Sequence, residues 1–245
     1  MTKDRGDVTD LPGVGPALAL ALKKKGATSI ARLRALLAKG GVVGLPARAR
    51  ARLELGVLAE IPPATARALA KDFVKYVAFP GVDPPPRVAP VGSLRRGGGA
   101  AAKDLDFLVV WGGGGKGTPA SADVLAAATF PPGAPLAFAR GYGAGARRRS
   151  AAVAWRRPGR AALYVDVDLF LATRAEEPFA LFHWTGPKAY NVRVRAHAKR
   201  RGWRLNQYGL FGAATGRRVR GSGAVASEED LAALLGVTYR PPSSR

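Results

Sequence analysis

The sequence has no cysteine and only two histidines, His183 and His197. The first absence excludes a disulfide framework, a thiolate metal site and a cysteine nucleophile. The second leaves too few imidazoles for a histidine-built zinc centre. Acid is scarce as well: 17 aspartates and glutamates stand against 39 lysines and arginines, a formal net charge of +22. Such an excess implies a polyanionic partner. No basic amphipathic segment lies beside an apolar anchor, so nucleic acid is expected rather than a membrane. The polar start, Met1 to Arg5, reads as neither a secretory leader nor a membrane span. The expectation is a soluble, intracellular monomer, nuclear if its source is eukaryotic, with length enough at 245 residues for one large or two modest domains.

The stretch Gly92 to Asp106 reads G-S-L-R-R-G-G-G-A-A-A-K-D-L-D. A small-residue turn carrying Arg95 and Arg96 runs into Asp104 and Asp106, and the apolar Phe107 to Val110 predicts a buried strand. Residues two apart on a strand share a face, so the two carboxylates are expected on one side, where their repulsion calls for a cation. Hard oxygen ligands beside phosphate favour magnesium. Gly92, Ser93, Arg95, Arg96 and Gly97 offer backbone amides, a hydroxyl and guanidinium forks to a polyphosphate. A bare D-x-D is more often a solvated strand end, and the glycine-serine-diarginine turn upstream reverses that reading. A second acid-bearing strand, Ala162 to Leu171, carries Asp166 and Asp168. Paired beside the first, it brings three or four carboxylates to one point, as a two-metal phosphoryl-transfer site requires.

Upstream, Leu11-Pro12-Gly13-Val14-Gly15-Pro16 leads into a helix over Ala17 to Lys25, and a second helix spans Ser29 to Ala38. Read as a helix-hairpin-helix, Gly13, Val14 and Gly15 bring amides close to a DNA phosphate at a helix N-terminus; the alternative is an ordinary glycine-rich loop. Pro46 to Gly56 and Pro62 to Val77 predict further helices, making residues 1–80 helical, and the proline-rich 80–86 marks a boundary to a β-rich part. Beyond it come an exposed connector over Gly112 to Pro119, a short helix over Asp123 to Ala128, and strands at Leu136 to Arg140 and Ala151 to Trp155. The run Arg147 to Arg149 reads equally as a grip on a DNA backbone or as a solvated loop. Pro178 to Pro187 then opens a strongly basic helix that stops at Gly202.

Taken together, these stretches resemble a family X DNA polymerase, the group of polymerases beta, lambda, mu and terminal transferase. The resemblance runs from Thr9 to Arg245. It rests on L-P-G-V-G-P, G-S-L-R-R-G with D-L-D, V-D-L-F, P-F-A-L-F-H-W-T-G-P-K, R-A-H-A-K-R-R-G-W-R-L-N-Q-Y-G-L-F and A-S-E-E-D-L-A-A-L-L-G-V-T-Y-R-P-P-S-S-R, in order. It implies an α+β fold: a helix-hairpin-helix subdomain over 1–80, a nucleotidyltransferase palm on a mixed β-sheet over 81–176, and a small C-terminal α/β subdomain over 177–245 that closes on the nucleotide.

The same resemblance implies that Asp104 and Asp106 bind two Mg2+ ions, with Mn2+ as a substitute. Of the two acids on the second strand, only Asp168 has the family's distance to Thr185 before Gly186; Asp166 falls where the family usually has an arginine. Ser93 and Arg96 match the triphosphate positions, Trp184 and Gly186 the floor under the sugar and primer end, Asn191 the minor-groove contact and Arg195 the template contact. For the last two, plain helix surface is the alternative. Lys103 replaces a glycine or histidine and is placed to meet a phosphate or the primer end. The partners implied are gapped or primer–template DNA and a dNTP; the function implied is short-gap filling in DNA repair. Two alternatives stay open: a template-independent or end-joining nucleotidyltransferase, suggested by Trp184 and the basic loop around Arg147, and a DNA-binding module without catalysis. Glu60 stands where polymerase beta has a phosphate-contacting arginine. The family's N-terminal lyase domain, with its reactive lysine, is expected to be missing.

Overall fold

In the computed structural model, residues 6–41, 44–97, 99–112 and 121–245 are described; most of the glycine-rich connector, 113–119, lies outside them. The first three α-helices among the described residues are short. Helix α1 (Pro16–Lys24) starts behind Gly15 with proline at its first position, where a missing N–H costs nothing. Helix α2 (Ile30–Ala38) is capped by Ser29, whose hydroxyl accepts the N–H of Arg32. Helix α3 (Ala47–Leu55) ends at Gly56 in the left-handed region. Leu11, Val14, Leu22, Leu33, Ala49 and Leu53 close a core of their own. Helix α4 (Pro63–Tyr76) does not join that core. Its buried face, Ala66, Leu69, Ala70 and Phe73, packs under the sheet, and the Phe73 ring stacks on Phe107 with centroids 4.2 Å apart.

The central sheet is built from β1 (Arg87–Pro90), β2 (Leu105–Trp111), β3 (Leu136–Gly145), β4 (Arg148–Trp155) and β5 (Leu163–Thr173). Its order is β1-β2-β5-β4-β3. Only β2 and β5 run parallel, so the sheet is mixed. Helix α5 (Gly92–Arg95) joins β1 to β2, and α6 (Ser121–Ala126) precedes β3. The period of two divides β2 cleanly. Phe107, Val109 and Trp111 enter the large core with α4, while Leu108 and Val110 turn to the other face beneath α7 (Glu177–Thr185). By the same parity Asp106, and Asp168 on β5, belong to the α7 side.

After α7 come α8 (Lys188–Arg200), the hairpin β6 (Trp203–Asn206) with β7 (Gly209–Gly212), and α9 (Glu228–Leu235). Phe179, Phe182, Tyr190, Leu205, Leu210 and Leu231 form their core. Ser227 and Asp230 make a reciprocal capping box at the start of α9. The fold is α+β with a mixed sheet, as the sequence leads one to expect. Among the described residues, no helix is long and apolar enough to cross a membrane.

Candidate active site

Parallel pairing of β2 with β5 sets Asp106 directly opposite Asp168 in the ladder. Asp104 sits one residue before β2 begins, in a bend rather than on the strand, and still reaches the same point. One carboxylate oxygen from each of Asp104, Asp106 and Asp168 lies within 4.8 Å of the others. Asp166, two residues back on β5, is engaged elsewhere: it accepts the Tyr142 hydroxyl at 2.6 Å and faces Arg52 at 3.7 Å. Asp168 is buried, at 2 % exposure.

Crowding acid into a buried site disfavours its charged form. Burial, reinforced by Asp104 and Asp168, pushes the Asp106 carboxyl up to about 7. Burial and then Asp168 raise Asp104 as well, against the pull of Arg48 and Arg148. Gly92 leaves the room this needs. It holds φ +61°, and a Cβ there would stand 2.3 Å from Asp106 Oδ2.

A cleft of about 610 Å³ opens above the cluster. It gathers Ser93, Arg96, Lys103, Asp104, Asp106, Trp184, Gly186, Asn191 and Arg195 from α5, the turn before β2, α7 and α8. Trp184 lies flat on Phe170, centroids 3.6 Å apart. The stretch Gly92 to Arg95, read from sequence as a turn, is a short helix. Its arginines grip the end of α7: Arg95 donates to the Thr185 hydroxyl at 2.6 Å and Arg96 to the Thr185 carbonyl. Asn191 is buried, with its amide nitrogen donating to the His183 carbonyl at 2.7 Å and its Oδ1 without a partner. It is therefore no plain surface residue. Arg195 meets His183 Nδ1 through one arm, and its Nε has no partner.

The hairpin residues stand apart from this cleft. Val14 is buried in the helical core, and Gly13, at φ +79°, lies beside Pro46 in a second cleft shared with Arg48, Arg148 and Ser150. Gly15 precedes α1 without any side-chain cap, which leaves the amides of the first turn open to an outside acceptor.

A model of the DNA polymerase beta thumb matches residues 180–245. Over 80 residues the chain is 43% identical to the repair DNA polymerase X of African swine fever virus (isolate Tick/Malawi/Lil 20-1/1983), a match covering 33% of this chain and 44% of the viral protein. It is 39% identical over 82 residues to human DNA-directed DNA/RNA polymerase mu, covering 33% of this chain and 16% of that protein. The crystal structure of Leishmania infantum polymerase beta in a ternary P/T complex aligns with a TM-score of 0.70 at 21% identity, over 98% of this chain and 96% of that one. Over these stretches the chain is similar to repair DNA polymerase X and polymerase mu, and its fold is that of polymerase beta. Its sequence match spans less than half the length of the viral relatives.

Around the acids lie side chains whose place beside them no local signal in the sequence gives. Arg48, from α3, donates to Asp168 Oδ2 at 2.6 Å and lies 3.5 Å from Asp104 Oδ2. Arg148 reaches the same Asp168 oxygen at 3.1 Å, and the Ser150 hydroxyl donates to Asp168 Oδ1. The run Arg147 to Arg149 is thus neither a free loop nor a free grip. Arg147 pairs with Glu176, at 2.8 Å, and Arg149, on the face of β4 opposite Arg148, donates to the carbonyls of Leu125 and Ala128 at 2.9 and 2.7 Å. The alternation is a local property of a strand that begins at Arg148; the partners are distant in sequence.

Proposed function

We propose that this chain is a DNA polymerase of DNA repair, adding dNTPs to a primer 3′-hydroxyl in short gaps by two-metal phosphoryl transfer. The observation that carries the reading is the ladder pairing of Asp106 with Asp168, which closes a three-carboxylate cluster beside a cleft that Asp104 and Asp106 share with Ser93, Arg96, Lys103, Asn191 and Arg195. The cluster suits magnesium: its donors are all hard oxygens, and burial together with Asp104 and Asp168 drives Asp106 toward its neutral form, a cost that a cation between them relieves. When bound at Asp104, Asp106 and Asp168, two Mg2+ ions, or Mn2+ in their place, supply charge neutralisation at the transferring phosphoryl group and a more acidic 3′-hydroxyl.

The chain's own residues do the rest. Ser93, Arg96 and the amides of α5 bind the triphosphate, and Lys103 takes a further phosphate. Asp168 accepts the 3′-hydroxyl proton, directly or through water, and pyrophosphate leaves on the Arg96 side. Trp184, held against Phe170, with Gly186 forms the floor under the sugar. Asn191, its amide nitrogen fixed on His183, keeps an acceptor for the base edge, and Arg195 meets the template strand. The open amides after Gly13, Val14 and Gly15 take a backbone phosphate of the duplex. Catalysis of this kind is positioning and electrostatics more than covalent chemistry.

Trp184 supports a second reading, untemplated or end-joining addition. Incubating the protein with labelled dNTP and a gapped duplex, with and without Mg2+, tests the first: metal-dependent incorporation directed by the template base is expected, and none would reduce the chain to a DNA-binding module. Extension of a single-stranded primer at a comparable rate would favour the second reading.

A further inference from the structure

Helix α3 turns one charged face to the sheet. Arg48 and Arg52, four residues apart and so on the same side of the helix, meet Asp168 and Asp104 at 2.6 and 3.5 Å and Asp166 at 3.7 Å. Glu54 adds a pair with Arg140 at 2.5 Å. The apolar part of this contact is small: Ala51, Val57 and Ala152, with Leu55, Tyr142 and Tyr164 at the margin. Two of the carboxylates that anchor α3 are members of the three-acid cluster itself. The Arg48 guanidinium, largely buried and lying over the Tyr142 ring, with its carbon 5.6 Å from the ring centroid, already provides part of the positive charge that the cluster demands.

We infer that Arg48 is an internal cation that docks the first three helices on the metal cluster, so that binding of a divalent cation and release of those helices are linked. The inference rests on the metal reading of Asp104, Asp106 and Asp168. One set of oxygens cannot serve both cations: Asp168 Oδ2 accepts from Arg48 and Arg148 together, and a metal drawing on Asp104 and Asp168 takes both of Arg48's acceptors. Helices α1 to α3 share one core, and so they leave as a body. Linkage is reciprocal: whatever loosens the helices tightens metal binding by the same factor, and metal loosens the helices.

Two measurements on the full chain, both without DNA, test this. The first is Mn2+ affinity by electron paramagnetic resonance of the free ion. Arg48→Ala should bind Mn2+ about fivefold or more tightly than wild type, the low end of ordinary site-to-site coupling. Arg48→Lys, which keeps the charge and loses the fork, should fall between. The second uses the absence of native cysteine: nitroxides on Thr28→Cys and Ala126→Cys, both at exposed positions, report the separation of helices and sheet. Saturating Mg2+ should lengthen that separation in wild type, and Arg48→Ala should show the longer separation without metal. Equal Mn2+ affinities for wild type and both variants, or a separation unmoved by Mg2+, overturns the linkage and leaves the metal site standing. Absence of Mn2+ binding in wild type and variants alike overturns the metal reading and this inference with it.

Discussion

Glu228 accepts one arginine on each carboxylate oxygen: Arg95 on Oε2 at 2.6 Å and Arg245 on Oε1 at 2.8 Å. The glutamate is 4 % exposed. Arg95 belongs to the helix that precedes the acid cluster, and it also holds Thr185; Arg245 packs against the rings of Phe182, Tyr190 and Tyr239. One acid thus joins α5, beside the acid cluster, to the C-terminal helices. Removing one partner of a buried pair leaves the other charges uncompensated, so Glu228→Ala should cost about 3 kcal/mol of stability, read from urea unfolding. A loss below about 0.5 kcal/mol, in the range of ordinary surface changes, would show the pairings to be incidental.

Gly92 is the position where one methyl group reaches the acids. Gly92→Ala adds a Cβ 2.3 Å from Asp106 Oδ2 on a backbone of φ +61°. Strain of roughly 1–3 kcal/mol is expected from the backbone alone, together with weakened Mn2+ binding as Asp106 is pushed aside. Calorimetric titration of Gly92→Ala with Mn2+ checks this; affinity equal to wild type would mean that the carboxylate does not depend on that gap.

Of the two aspartates on β5, only Asp168 faces the cluster. Asp168→Ala should lower nucleotide addition about a thousandfold or more, the equivalent of losing ~4 kcal/mol of transition-state stabilisation, with DNA affinity unchanged or raised. Asp166→Ala should be milder, acting through the packing of Tyr142 and Arg52. Single-turnover extension assays on both variants separate the cases, and the reverse order would exchange their roles.

Burial, with Arg195 beside it, lowers His183 from the ordinary 6.5 to about 4. The folded protein therefore keeps this imidazole neutral where the unfolded chain takes up a proton. His183 contributes stability that is complete above pH 6.5 and is lost as the pH falls toward 4. His183→Gln should flatten this part of the acid limb. With two histidines in the chain, the resonance missing from that variant identifies His183. A nuclear magnetic resonance midpoint near 6.5 for that signal would contradict the burial argument.

Much of this arrangement was legible in the sequence because its signals are local. Helix bounds followed from Ser29, Gly56 and Pro62, and the two acid-bearing strands from their apolar runs. That Asp104, Asp106 and Asp168 converge followed from spacing and resemblance, although Asp104 reaches the point from a bend. What stayed hidden was long-range charge pairing. Arg48 lies 120 positions from Asp168, in a helix whose other arginines look like a solvated face. Helix α4 reads as one more member of a helical run, and only the stack of Phe73 on Phe107 shows that it belongs with the sheet. Glu228 reads as a first-turn acid near a helix N-terminus; nothing nearby in sequence announces its two arginines.

Backbone pairing, not chain distance, sets Asp106 beside Asp168, and this decides where the chain tolerates changes of length. Between β2 and β5 run a connector, a helix and a hairpin, and doubling such a loop costs only about 0.6 kcal/mol in closure entropy. Insertions in the links between these elements, outside β4, leave the ladder and the acids on it untouched. A single residue lost between Phe107 and Val110 has the opposite effect: the period of two turns the apolar set of β2 inside out against β5. Changes of length compatible with this site are thereby expected in the connections and not in β2 or β5, the strands that meet at Asp106 and Asp168.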